Sequence, residues 1–176
     1  MKKEQSRPVH YFIAIIAVAA GVLFDQWTKL LVLTHLKGHD SYIVIKNVFE
    51  LEYLENRGAA FGMLQGRQGF FFLIAAAVIL AVLWAVYRMP DGKRYLPLMC
   101  SLFLLVSGAV GNMIDRMTQK YVVDFLYFKL IDFPIFNVAD CYVVIATFSL
   151  ILLFFFFYSD EELEFLSFKG MKKESE

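Results

Sequence analysis

The sequence is poor in the residues on which many catalytic and binding classes depend. Of 176 residues, two are cysteines and three are histidines, and 17 basic residues balance 17 acidic ones to leave no net charge. Cys100 and Cys141 both lie in apolar segments, so no disulfide framework is indicated and each is expected to be an inert, buried thiol. His35 and His39 are spaced i,i+4, but no HExxH occurs and His10 is expected on the other side of the molecule. No zinc site and no other metal are expected. Ser107 and Ser149 have no histidine or lysine base at matching depth, which leaves serine catalysis without support. A glycine-rich phosphate loop is missing too, so no cofactor is expected. A nucleic-acid partner would predict a basic stripe, and none is visible.

What the chain has instead is apolar length. Hydrophobic residues make up 59% of it and the mean hydropathy is +0.58, values that belong to a membrane protein rather than a water-soluble one. Four apolar runs, at about 11–33, 70–88, 96–115 and 139–158, are each near the roughly 20 residues that a span requires. The first runs past the usual length of a signal-peptide core and has no convincing small-residue cleavage site. A single integral-membrane domain over 1–176 is expected, with both termini on one side. Arg88, Lys93 and Arg94 in the short second loop, with Lys2, Lys3 and Arg7 at the N-terminus, place that side in the cytoplasm. The longer loops, about 34–69 and 117–137, then face outward.

The residues from Gly108 to Asp140 break the apolar pattern with four carboxylates, two asparagines and Arg116. Ionisable groups at a bilayer are costly, so they stand first as a functional-site hypothesis. Asp25 lies about 14 residues, roughly 21 Å at the helical rise, from the inner end of the first span. Asp115 ends the third span and Asp140 opens the fourth. With Asp124 they collect at one depth, near the outer boundary. Asp124 and Asp140 have apolar neighbours in sequence, namely Val122, Val123 and Phe125 for one and Phe136, Val138 and Ala139 for the other. Desolvation and mutual repulsion leave such a pair sharing one proton, one member acting as acid and the other as base. That is the chemistry of an aspartic peptidase.

Several other residues support this reading, each beside a plainer one. Asp25 and Lys29 share a helix face, as a self-neutralising ion pair or as a brace for the loops above. Asn56 and Gly58 sit in NRGAAFG, a turn or a ligand contact. Gly108 and its small neighbours allow close helix packing. Asn112 and Arg116 lie one turn apart beside Asp115, as carboxylate donors or as half of an Asp115–Arg116 salt bridge. Asn137 precedes Asp140 by three positions, within reach of the pair or of a substrate backbone. SYIVIKNVFELEYLEN alternates apolar and polar residues, predicting two strands that turn near Lys46-Asn47 on the membrane surface. The second span reads as scaffold, and Ser159 to Glu176 as a charged tail, frayed or helical. Proton-coupled transport and a non-catalytic scaffold remain alternatives. Transport would need continuous polar lining, which the second and fourth spans lack.

DQWTK (25–29), NRGAAFG (56–62), GNMIDR (111–116), VVDF (122–125) and FNVAD (136–140) together resemble the ordered motifs of the bacterial lipoprotein signal peptidases, or signal peptidase II. The resemblance covers the whole four-span core. It implies catalytic roles for Asp124 and Asp140, and supporting or substrate-binding roles for Asp25, Lys29, Asn56, Gly58, Gly108, Asn112, Asp115, Arg116, Asn137 and Ala139. Cys141 stands where that family often has serine. The implied fold is all-α, with four transmembrane helices and a small extracytoplasmic β-sheet, or cradle, in the first outer loop. The implied reaction cuts a diacylglyceryl-modified prolipoprotein just before the lipidated cysteine. The implied place is the bacterial cytoplasmic membrane, with membrane lipid as surroundings and a monomer as the working unit.

Overall fold

The computed structural model describes residues 7–58 and 67–167. Residues 59–66, which hold the rest of the NRGAAFG motif and most of the segment before the second span, lie outside the described residues, as do 1–6 and 168–176.

Four long helices carry the chain: α1 (Arg7–His35), α2 (Gln68–Arg88), α3 (Leu96–Thr118) and α4 (Val138–Leu152), the last running on through a π-helical turn, Leu153–Phe157. Each contains a stretch long and apolar enough to cross a bilayer. Their outer faces carry exposed apolar side chains such as Phe12, Leu73, Leu80 and Phe148, which suits hydrocarbon around them. α3 is the centre of the bundle and packs on α1, α2 and α4. It starts with Pro97 in its first turn, where a missing N–H costs nothing.

Glycines of α3 allow close approaches to its neighbours. A Cβ on Gly108 would stand 2.5 Å from the Ala139 carbonyl oxygen of α4, and one on Gly111 would stand 2.5 Å from Asp25 Oδ2 of α1. Only the absence of side chains lets three helices meet there.

Three strands close one end of the bundle. β1 (Tyr42–Ile45) and β2 (Phe49–Asn56) form the expected hairpin, turned by Asn47 at a φ of 61°, a left-handed conformation that asparagine tolerates. The third strand, β3 (Val122–Tyr127), pairs antiparallel with β2. It comes from the second long loop, so the sheet is not confined to the first, as the sequence suggested. Val122, Asp124 and Phe125 are buried and Val123 is fully so; with both faces covered, the strand shows no alternation to read. A bridge from Leu126 to Phe136 then folds the following loop back onto β3.

At the opposite end, Val82, Ala85, Met89, Leu98, Leu102 and Tyr158 form an apolar core. The described part of the tail, 159–167, is not frayed there and includes a short helical turn, Glu164–Leu166. Leu163, Phe165 and Leu166 pack on this core, and Glu162 forms a two-pronged ion pair with Arg94 at 2.8 and 3.1 Å. The cysteines also differ from expectation: Cys100 is exposed and Cys141 half-exposed. In an apolar helix the lipid-facing side is as hydrophobic as the core, so composition does not tell the two apart.

Candidate active site

Asp25, Lys29, Asp115, Asp124 and Asn137 are all buried where the helix ends meet the sheet, and two pairs of aspartates organise the region. Lys29 joins the first pair, its Nζ lying 2.9 Å from Asp25 Oδ2 and 3.0 Å from Asp115 Oδ2. Gln26 Nε2 donates to Asp25 Oδ2 at 3.2 Å and to Asp115 Oδ1 at 2.9 Å. Each carboxylate also takes a backbone N–H from another element: Asp25 Oδ1 from Ala139 at 2.9 Å, and Asp115 Oδ2 from Val123 at 3.1 Å. Val123 directly precedes Asp124, and Ala139 directly precedes Asp140. The first pair therefore fixes the backbone on which the second pair is mounted.

The second pair is held by amides. Asp124 accepts from Asn56 Nδ2 at 2.8 Å and from Asn137 Nδ2 at 2.6 Å. Asp140 accepts from Asn112 Nδ2 at 2.8 Å and from the Asn137 backbone N–H at 3.1 Å. Asn137 thus touches both acids. It is the N-cap of α4 and forms a reciprocal capping box with Asp140, which satisfies otherwise unpaired donors of the first turn. Asn112 joins the two levels: its Oδ1 accepts from Lys29 Nζ at 3.0 Å and from Asn137 Nδ2 at 3.1 Å. With its oxygen so taken, its NH2 is turned toward Asp140.

Among the described residues, no ion pair reaches Asp124 or Asp140. Burial pushes the Asp124 carboxyl up to about 7, and charge on Asp140 adds to the effect, against the opposing pull of the Asn56 and Asn137 hydrogen bonds. A carboxyl so placed exchanges its proton near neutrality, as an acid–base catalyst must.

Both acids line one cavity of about 670 Å³. Asn56, Gly58 and Arg116 supply polar wall around them, and Phe71 of α2, the loop from Phe133 to Phe136 and Cys141, Val144 and Ile145 of α4 supply apolar wall. Arg116 makes no salt bridge with Asp115, contrary to one reading of the sequence, because Lys29 already occupies that carboxylate. Its guanidinium donates instead to the Asn112 and Gly58 carbonyls, each at 3.3 Å, and lies 4.4 Å from the centre of the Phe71 ring. α2 is therefore more than scaffold, since Phe71 forms part of the cavity wall.

Against known proteins, the model of the family described as Signal peptidase (SPase) II matches residues 16–156. The chain belongs to the signal peptidase II family. It is similar to the lipoprotein signal peptidase of Caldanaerobacter subterraneus subsp. tengcongensis, 44% identical over 133 residues that cover 75% of this chain and 88% of that one. The lipoprotein signal peptidase of Anoxybacillus flavithermus is 36% identical over 156 residues, 88% of each chain. Among solved structures, a bacterial membrane enzyme determined by the in meso method aligns with a TM-score of 0.73 at 35% identity, covering 81% of this chain and 87% of its own. A member of this family with four bilayer-length helices is a protease and a multi-pass membrane protein.

Signal peptidase II motifs supply most of the residues that meet here. Asp25, Lys29, Asn56, Asn112, Asp115, Asn137, Asp124 and Asp140 form one connected set. Gly58 and Arg116 flank it, while Gly108 and Ala139 give the close contact of α3 with α4. Sequence reasoning overlooked Gln26 and the aromatic wall. A polar side chain next to Asp25 inside an apolar span was the available signal for Gln26. Phe71 and Phe133 looked like any other aromatic residue of a membrane protein.

Proposed function

We propose that this chain is an aspartic endopeptidase that removes the signal peptide from diacylglyceryl-modified prolipoproteins, cutting just upstream of the lipidated cysteine. The observation that carries the reading is that Asp124 and Asp140 share Asn137 as a ligand and open on one cavity whose other wall is apolar. The lipoprotein substrate is the one in the names of the relatives.

The geometry supports a single-displacement mechanism. The pair holds one proton between its members, which titrate as a unit. The ionised carboxylate removes a proton from water as that water's oxygen bonds to the scissile carbonyl carbon, and the protonated carboxyl donates to the carbonyl oxygen. When the C–N bond breaks, the leaving amine takes the proton of one carboxyl while a hydroxyl of the gem-diol returns a proton to the other, so the pair again holds one proton. The products are a carboxylic acid, which then ionises, and the amino group of the lipidated cysteine. Asn56, Asn112 and Asn137 keep the acids oriented throughout. Their donors carry no charge, so neither acid is held permanently as an anion by a neighbouring cation.

The apolar side of the cavity suits acyl chains and the signal-peptide helix, both of which reach it from within the bilayer. Arg88, Lys93 and Arg94 lie at the end opposite the sheet and support a cytoplasmic location for that end and for both termini. The pair then works at the outer face of the bacterial cytoplasmic membrane. Every group named comes from one chain, which supports one membrane domain and a monomer as the working unit. The test is cleavage of a diacylglyceryl-cysteine peptide by purified protein in vesicles. Turnover should require the diacylglyceryl group and vanish with Asp124→Asn or Asp140→Asn. Near-normal turnover in either variant would remove that residue from the pair and the reading with it.

A further inference from the structure

The loop that leads into the cavity wall exposes its apolar side chains. In the segment 128–133, Lys129 and Asp132 are the charged residues, and both are tied to the protein. Lys129 Nζ lies 2.7 Å from Glu50 Oε1, a carboxylate only 3% exposed that also accepts from Ser41. The Tyr127 hydroxyl donates to Asp132 Oδ1 at 2.7 Å, and Asp132 adopts a left-handed φ of 48°. The apolar side chains have no such partners. Leu130 and Ile131 are each 68% exposed, and Phe128 and Phe133 are exposed as well. A loop in water turns its charges out and its leucines in. This one leaves its leucine, isoleucine and phenylalanines exposed beside its charges, and the sheet holds it: Leu130 N–H donates to the Val48 carbonyl at 3.3 Å, and the Phe49 and Phe128 rings lie 5.1 Å apart.

The adjoining strand extends the same surface. All four residues of β1, Tyr42–Ile45, are apolar and exposed, so neither face of this edge strand is covered. On its other flank the loop runs into the cavity wall at Phe133 and Phe136, whose rings lie 5.7 Å apart, and so reaches Val144 and Ile145 on the exposed face of α4. The apolar surface is therefore continuous with the lipid-facing surface of a spanning helix. Continuity selects the occupant, because hydrocarbon already bounds one side of it. A patch this large, exposed to water, would be an aggregation liability.

We infer that the loop 128–133 and strand β1 form a wedge sunk into the bilayer leaflet on the Asp124–Asp140 side, holding the cavity mouth against acyl chains so that a lipid-anchored substrate enters without crossing water. The role in substrate entry rests on the peptidase reading; the position in the leaflet does not.

Position is tested with Trp27 and Trp84 both replaced by phenylalanine and a single new reporter, Leu130→Trp or Ile131→Trp, in the full-length protein. The protein is reconstituted into phosphatidylcholine–phosphatidylglycerol vesicles with or without bromine on the acyl chains. The expected result is quenching by brominated lipid together with protection from aqueous iodide. Iodide quenching without bromolipid quenching would place the loop in water and overturn the inference. Protection from both would also overturn it, in favour of a second copy or another protein as the cover.

Entry is tested with the Leu130→Ser/Ile131→Ser double variant. KM for a vesicle-borne diacylglyceryl peptide should rise about tenfold at unchanged kcat, and unchanged KM would remove the entry role. The fluorescence measurement reads depth and not turnover. Its failure and the failure of the peptidase reading are therefore distinguishable.

Discussion

Two pairs of aspartates share one corner of this molecule and differ in what holds them. Asp25 and Asp115 are bridged by the Lys29 ammonium and a glutamine, and each also accepts a backbone N–H group. Asp124 and Asp140 receive three asparagines and a capping N–H, with no cation at hydrogen-bonding distance. Charge-assisted bonds are roughly twice as strong as neutral ones. The first pair is thus suited to fixing backbone, and the second to exchanging a proton. Their levels meet at Asn112, so the rigid pair sets the orientation of the reactive one. Burial alone does not distinguish structural from reactive acids, whereas the donors around them do.

Substitution of one residue at a time separates the two roles. The largest expected effect is on rate. Asp124→Asn and Asp140→Asn should each lower kcat/KM about a thousandfold or more and leave the protein folded in detergent by circular dichroism. Asp25→Asn and Asp115→Asn should do the reverse, lowering thermal stability first and activity only in proportion to folded protein. If Asp25→Asn abolished turnover in fully folded protein, the division of labour would be gone.

Lys29→Met comes next. It leaves two buried carboxylates without their shared cation, and breaking a buried ion pair from one side costs about 3–5 kcal/mol. Purified variant should melt well below the wild type, and adding Asp115→Asn should restore part of the loss. The glycines give a smaller effect. Gly108→Ala and Gly111→Ala press a methyl group against the Ala139 carbonyl and the Asp25 carboxylate, overpacking that costs about 1–3 kcal/mol. Gly111→Ala acts on the first pair directly and should lower stability and activity together.

How much of this was legible beforehand follows from what is local. The four helices were readable because each apolar run is continuous. The β1–β2 hairpin was readable because it alternates and turns at Asn47. The common depth of the aspartates followed from counting residues along spans. β3 was not readable, since VVDFLY is covered on both faces and resembles any apolar run. Nor was the partner of Asp115: Arg116 is its neighbour in sequence, but the cation that reaches it is Lys29, from another helix. Phe71 and Phe133 become cavity walls only when α2 and the bridge at Leu126–Phe136 bring them there. Contacts made across the chain leave no periodic trace.

The last distinction is pH. Burial, reinforced by charge on Asp140, pushes the Asp124 carboxyl to about 7, well above the roughly 3.9 of an unfolded aspartate. The folded chain therefore binds more proton than the unfolded chain between those two values. Its stability is fullest below about pH 4 as far as this group is concerned, and is lost as pH rises through about 7. Thermal melts between about pH 5 and 8 should show that slope in the wild type and lose it in Asp124→Asn. Catalysis follows the same proton. Once the pair has lost it, nothing polarises the carbonyl, and kcat/KM should fall about tenfold per pH unit above roughly 7. An activity that climbed through that range would mean the proton is dispensable, and the two aspartate pairs would no longer differ in the way their donors indicate.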